Sequence, residues 1–179
     1  MSVAAKSHVS EAEFLSLPES LERVELIDGE VIVSPSPLFW HQEVLRRLVL
    51  ALGRWAEGRS EVTIGQAPLD VRFGPNRVLQ PDAMVFLARI EREQAGPIDR
   101  VPEICIEVLS SNRAYDRVTK RFVYGAAGVQ EYWMVDPGGF VERWTGAGLS
   151  REELIPDRLT SGLLPGFELA VDKLFVDLG

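Results

Sequence analysis

The spacing of apolar residues changes several times along the chain, and each change marks an element. Residues 24–27 and 30–33 are short aliphatic runs on either side of Asp28-Gly29. That pair tolerates positive φ, so the segment predicts a β-hairpin closed by a two-residue turn. From Pro37 to Glu57 the apolar positions Leu45, Leu48, Val49, Leu52, Trp55 and Ala56 recur at three- and four-residue steps, with Arg46, Arg47 and Arg54 on other faces. This predicts an amphipathic helix of about five turns. Past Gly58 the pattern shortens to strand-length runs at 61–66, 69–73 and 83–87, punctuated by Pro68 and by Gly74-Pro75-Asn76, which predict an antiparallel meander. A further apolar run, 103–109, lies between Pro102 and Ser110-Ser111-Asn112. A second helix follows from about Arg113, with Ser111 or Asn112 as N-cap and Gly128 just past its end. Residues 131–135 then predict a strand, turned by Asp136-Pro137-Gly138-Gly139 onto a partner at 140–144.

An antiparallel meander leading into a strand, helix, strand crossover implies a mixed α/β fold, a mixed sheet with helices packed against it. Residues 1–19 read as a loosely ordered arm with a short helix near 10–17, since Ser10 precedes Glu11 and Glu13 and Pro18 stops it. With no internal repeat or low-complexity linker, residues 20–179 read as one domain.

Composition narrows the function. The 179 residues carry 19 basic and 27 acidic side chains, a net charge of −8, which opposes attraction of the whole surface to phosphate or anionic membrane. Any polyanion must therefore meet a local basic patch. The single Cys105 rules out an intrachain disulfide and a Cys-rich zinc site and fits a cytoplasmic location. No apolar run approaches the roughly 20 residues that span a bilayer. The first fourteen residues lack the apolar stretch of a secretory signal, so the chain is taken as mature from Met1.

Two carboxylates stand out. Asp82 follows Pro81 where a loop becomes an apolar strand, and Glu107 sits inside a strand between Ile106 and Val108. An ionised carboxylate buried without a partner costs several kcal/mol or more, so such groups are paired, protonated or bound to a cation. On neighbouring strands, Asp82 and Glu107 would form a hard-oxygen site for Mg²⁺ or Mn²⁺, completed by a backbone carbonyl and water. The alternative is that Glu107 points outward. On the following helix Asp116, Lys120 and Tyr124 recur at four-residue steps and form one stripe, which equally describes an ordinary surface pair on a solvated helix. Arg113, Arg117 and Arg121 make this helix locally basic, as a phosphate-facing element would be. Tyr132, Trp133 and Trp144 suit either a core layer or the face of a homodimer.

An ordered set of motifs carries a resemblance. Glu25-Leu26-Ile27-Asp28-Gly29-Glu30, His41, Pro81-Asp82, Glu107-Val108-Leu109-Ser110, Asp116 with Lys120 and Tyr124, the run from Gly128 to Pro137, Leu164-Pro165-Gly166-Phe167 and Leu174-Phe175 occur in sequence. Together they resemble the Uma-two (Uma2) endonuclease family of the PD-(D/E)XK, restriction-endonuclease-like superfamily, over roughly residues 20–176. The resemblance implies an αβββαβ core, with Asp82 and Glu107 as metal-binding acids beside the backbone carbonyl of Val108. The chain departs from the superfamily's plain motif at Leu109, where a lysine is expected; Lys120, on the next helix, matches the family's substitute. Glu25 matches a further family acid and His41 a family histidine, with hairpin pairing and helix-start capping as their structural alternatives. What the resemblance implies is a Mg²⁺- or Mn²⁺-dependent nuclease acting on nucleic acid, in particular DNA, with Asp116 and Tyr124 holding Lys120. Arg113, Arg117 and Arg121, and with them Arg46, Arg47 and Arg54, would supply the phosphate contacts. A nuclease-fold binding module without catalysis, and hydrolysis of another phosphoester, are the competing readings.

Overall fold

Asp28 and Gly29 take φ values of 50° and 86°, the twist that a two-residue hairpin turn demands. The flanking segments pair as β1 (Arg23–Ile27) and β2 (Glu30–Ser34), with Glu25 opposite Ile32. The computed structural model describes residues 8–18, 20, 22–91, 93–109 and 114–177. Ahead of the hairpin, α1 (Glu11–Leu15) is closed by a reciprocal capping box between Ser10 and Glu13. Residues 9–15 are docked rather than loose. Val9 donates its N–H to the Gly29 carbonyl at 2.9 Å, Glu11 takes the Arg72 guanidinium at 2.6 Å, and Phe14 is buried with Leu26 and Val78.

The expected long helix is α2 (Phe39–Ala56). The next segments form β3 (Thr63–Gln66), β4 (Val71–Arg72), β5 (Arg77–Leu79), β6 (Ala83–Phe86) and β7 (Ile104–Val108). They are not one meander. β3 pairs directly with β6, while β4 and β5 leave to join the hairpin in a sheet ordered β2-β1-β5-β4. The reason lies in the turn signals: Gly74-Pro75-Asn76 folds β4 back on β5, so that Val71 and Leu79 bury against Met84, Phe86 and Cys105 of the main sheet while Val78 faces Phe14 and Leu26. A π-helical turn (Tyr115–Lys120) runs into α3 (Arg121–Ala127), which ends at a left-handed Gly128 as expected. The expected N-cap at Ser111 or Asn112, and Arg113, lie outside the described residues.

After the crossover come β8 (Glu131–Asp136), β9 (Phe140–Thr145) and β10 (Arg151–Ile155), and a small hairpin of β11 (Arg158–Thr160) and β12 (Glu168–Ala170). The main sheet runs β10-β9-β8-β7-β6-β3, and only β7 and β8 are parallel. Reading α2, β3, β6, β7, α3, β8 gives the αβββαβ core.

β7 is buried along its whole length. Ile104, Ile106 and Val108 face α2 through Val44, Leu45, Leu48 and Leu52. Cys105 and Leu109 face α3 and the small sheet through Val123, Tyr124, Phe73 and Leu79. Glu107 shares the second face by strand alternation. Tyr132 and Trp133 are fully buried, so this pair is core and supplies no dimer face. Among the described residues no helix is long and apolar enough to cross a membrane.

Candidate active site

Four elements bring charged side chains to one buried point. β1 contributes Arg23 and Glu25, two residues apart and so on the same face. Asp82 lies in the bend that starts β6, Glu107 near the end of β7, and Asp116, Lys120 and Tyr124 on the π-helical turn and α3. Antiparallel pairing of β6 with β7 sets Ala83 opposite Ile106 and thereby brings the two strand acids side by side. Glu25, Asp82, Glu107, Asp116 and Lys120 are all buried.

Each carboxylate is held by several donors. Asp82 accepts from the Val108 N–H at 2.8 Å through Oδ2, meets His41 Nε2 at 3.2 Å on the same oxygen, and accepts from Arg23 Nη1 at 2.7 Å through Oδ1. Glu107 Oε1 accepts from Lys120 Nζ and from the Tyr124 hydroxyl, each at 2.8 Å. Its Oε2 lies 3.4 Å from Arg23 Nη2. Glu25 accepts from the Gln80 N–H at 2.8 Å and the Tyr115 hydroxyl at 3.0 Å. Lys120 Nζ also stands 3.7 Å from Glu25 and 3.6 Å from Asp116. Arg23 Nη2 donates to the Gln80 carbonyl and lies 3.4 Å from Glu25.

Burial and charge pull the proton affinities apart. Burial pushes the Asp82 carboxyl up, but the hydrogen bond from His41 and the charges of Arg23, His41 and Lys120 outweigh it and hold Asp82 well below the usual carboxylate range. Glu107 goes the other way. Burial raises it more than Lys120 lowers it, and the neighbouring charge of Asp82 adds to the rise. Asp116 is raised by burial as well. Burial disfavours the charge of Lys120, yet Glu107 and then Glu25 hold its ammonium above the ordinary lysine range. Two neighbouring carboxyls with opposed affinities are a common property of reactive sites.

Helix-start capping does not describe His41: the N-cap of α2 is Leu38, which makes no side-chain cap bond, and the imidazole turns to Asp82. Nor is Lys120 part of a surface pair. It is only 2% exposed, so removing its ammonium would leave buried carboxylates uncompensated, a loss of about 3–5 kcal/mol for a pair of this kind. Tyr124 is both core and site, its ring against Phe73 and its hydroxyl on Glu107. Arg117 is held by Asp136 at 3.1 Å and by Glu142, and Arg121 stacks 3.9 Å from the Trp144 ring centre. Sequence reasoning missed Arg23 and Tyr115. Arg23 had one usable signal, its two-residue spacing from Glu25 on a predicted strand; Tyr115 had none.

A cleft of about 460 Å³ opens onto this cluster, with Arg23, His41, Asp82, Glu107 and Lys120 on its floor and the segments 32–38 and 67–68 among its walls. A separate groove of about 590 Å³ runs beside α2 and is lined by Arg46, Arg47, Arg54 and Lys173.

The donor chemistry suits a hard divalent cation. Asp82 and Glu107 are oxygen ligands that reach the same guanidinium, and among the described residues four buried carboxyl groups, Glu25, Asp82, Glu107 and Asp116, gather around Arg23 and Lys120. Among the described residues no three His, Cys, Asp or Glu side chains gather into a metal cage of their own. Further oxygens would come from backbone, substrate or water.

The family model Uma2, described as "Putative restriction endonuclease", matches residues 11–172. The chain belongs to the Uma2 family. A solved structure similar to this Uma2 chain is described as "a putative nuclease belonging to DUF820" from Anabaena variabilis. The two share 25% sequence identity with a TM-score of 0.77, over 93% of this chain and 97% of the other. The fold is thus that of a restriction-endonuclease-like protein. No curated protein matches the chain.

Proposed function

We propose that this Uma2 protein is a metal-dependent nuclease that hydrolyses phosphodiester bonds in DNA. The observation that carries the reading is the convergence of Asp82, Glu107 and Lys120, from three separate elements, on the floor of one cleft. Asp82 and Glu107, with the Val108 carbonyl, would hold Mg²⁺ or Mn²⁺. When bound, such an ion neutralises charge on phosphoryl oxygens and makes water a better nucleophile.

The chain's own residues do the rest. His41 and the Val108 N–H fix the Asp82 carboxylate, while the Tyr124 hydroxyl and Lys120 fix one oxygen of Glu107. Lys120 carries a buried positive charge beside the position where negative charge grows on the phosphate, and such a preorganised charge acts strongly away from water. Glu25 and Asp116 hold that ammonium in place. Arg54 and Lys173 offer phosphate contacts along α2; Arg46 and Arg47 would join them only by leaving Glu43, and Arg117 and Arg121 only by leaving Asp136, Glu142 and Trp144. A cytoplasmic location fits the lone buried Cys105. Homodimerisation, where it occurs, would use a surface other than the buried Tyr132–Trp133 layer.

The test is cleavage of supercoiled plasmid and of single-stranded DNA with Mg²⁺ or Mn²⁺, beside Asp82→Asn and Lys120→Gln proteins shown to be folded. Loss of about 100-fold or more in both variants is expected. Equal cleavage by all three would remove the assigned site. A second reading, a nuclease-fold binding module without catalysis, is favoured by one feature: the Arg23 guanidinium spans the two acids. DNA bound at full strength in chelator with no cleavage in either metal would establish it.

A further inference from the structure

Arg23 spans the same two acids that the nuclease reading gives to a divalent cation. Nη1 holds Asp82 at 2.7 Å, and Nη2 faces Glu107 and Glu25, each at 3.4 Å, while donating to the Gln80 carbonyl. A guanidinium is flat, permanently charged and forked, so its two terminal nitrogens can each hold a different carboxylate in a fixed geometry. The side chain is 21% exposed on the cleft floor, so it has room to swing outward, whereas Lys120 at 2% has none. Its Nε is buried without a partner in the described structure, which leaves the head group as its anchor.

We infer that Arg23 is the built-in counter-cation of this site and competes with the divalent ion for Asp82 and Glu107. The inference rests on the nuclease reading of those two acids and adds how the site is regulated. Without metal, Arg23 closes the acids on one another and keeps them from repelling. When a divalent ion takes the carboxylates, Arg23 leaves them and presents a forked donor to the cleft, suited to a phosphate oxygen pair. A seat that its own side chain blocks nine-tenths of the time shows an apparent affinity weakened roughly tenfold.

The experiment is Mn²⁺ titration of the full chain by calorimetry, with Asp82→Asn as the site control and thermal melting in chelator alongside. Arg23→Gln should bind Mn²⁺ roughly tenfold more tightly than wild type, melt lower in chelator, and recover stability as Mn²⁺ is added. Arg23→Lys keeps the charge and loses the fork, so it should fall between the two; it carries the test should Arg23→Gln not fold. Unchanged or weaker Mn²⁺ binding in the Arg23 variants overturns the inference. So does Mn²⁺ binding that survives Asp82→Asn, or no saturable binding in any of the proteins. Tighter binding without DNA cleavage would leave the competition standing and dismiss only the nuclease reading. Cleavage by wild type with unaltered Mn²⁺ affinity in the variants would do the reverse.

Discussion

Asp82 keeps its charge in a setting that opposes charge. Burial alone would neutralise it, and the imidazole of His41, the Val108 N–H, the Arg23 guanidinium and the nearby Lys120 ammonium together reverse that effect. Its affinity for protons is depressed in the folded chain, so its contribution to stability is complete above the unfolded carboxyl value of about 3.9 and is lost as the pH falls through the lower folded value. Urea unfolding in chelator should therefore show wild type ahead of Asp82→Asn at about pH 5, with the gap narrowing steadily as the pH is lowered below about 3.9. A gap that stays constant in acid would mean that these contacts do not set the Asp82 charge. Residue chemistry was partly legible in the sequence: Asp82 and Glu107 stand out because carboxylates are rare in apolar strands. Lys120 stood out only through the family resemblance, because an acid and a lysine four residues apart look the same on a solvated helix and on a buried one.

At the scale of elements, β7 explains why Glu107 could be read as pointing outward. A strand covered on both sides loses the alternation that tells inside from outside. α3 is positioned by a second close approach. A Cβ added at Gly125 would lie 2.7 Å from the backbone carbon and oxygen of Gly148, in the short turn between β9 and β10. Gly125→Ala gains up to about 1 kcal/mol of helix propensity but forces two backbones apart. Overpacking of this kind costs about 1–3 kcal/mol. A net loss of stability is expected in denaturant titrations, together with weaker support for Lys120 and Tyr124 on the same crossover. A more stable Gly125→Ala protein would show that the 147–149 turn gives way freely. The expected single helix is a π-helical turn followed by an α-helix. The simple wheel of Asp116, Lys120 and Tyr124 survives only because both latter side chains converge on Glu107.

For the whole molecule, a net charge of −8 makes nucleic-acid binding a local matter. The groove beside α2 gathers Arg46, Arg47, Arg54 and Lys173. Labelled DNA followed by fluorescence anisotropy in stepped salt should bind with a slope that falls by about 0.7–0.9 for each phosphate contact removed. Arg54→Gln and Lys173→Gln should each flatten it, and Arg100→Gln, which lines neither cavity, should not. Equal slopes would place the phosphate contacts on another face. The sequence by itself determined the order of elements, the hairpin turn, the crossover from β7 through α3 to β8, and the two strand acids, because each depends on residues close together in the chain. Tertiary structure alone decided that β4 and β5 would leave the main sheet, that Lys120 would be almost wholly buried, and that Arg23 would reach across to acids 59 and 84 positions away. Such meetings depend on how layers pack over long separations, and local periodicity holds no record of them.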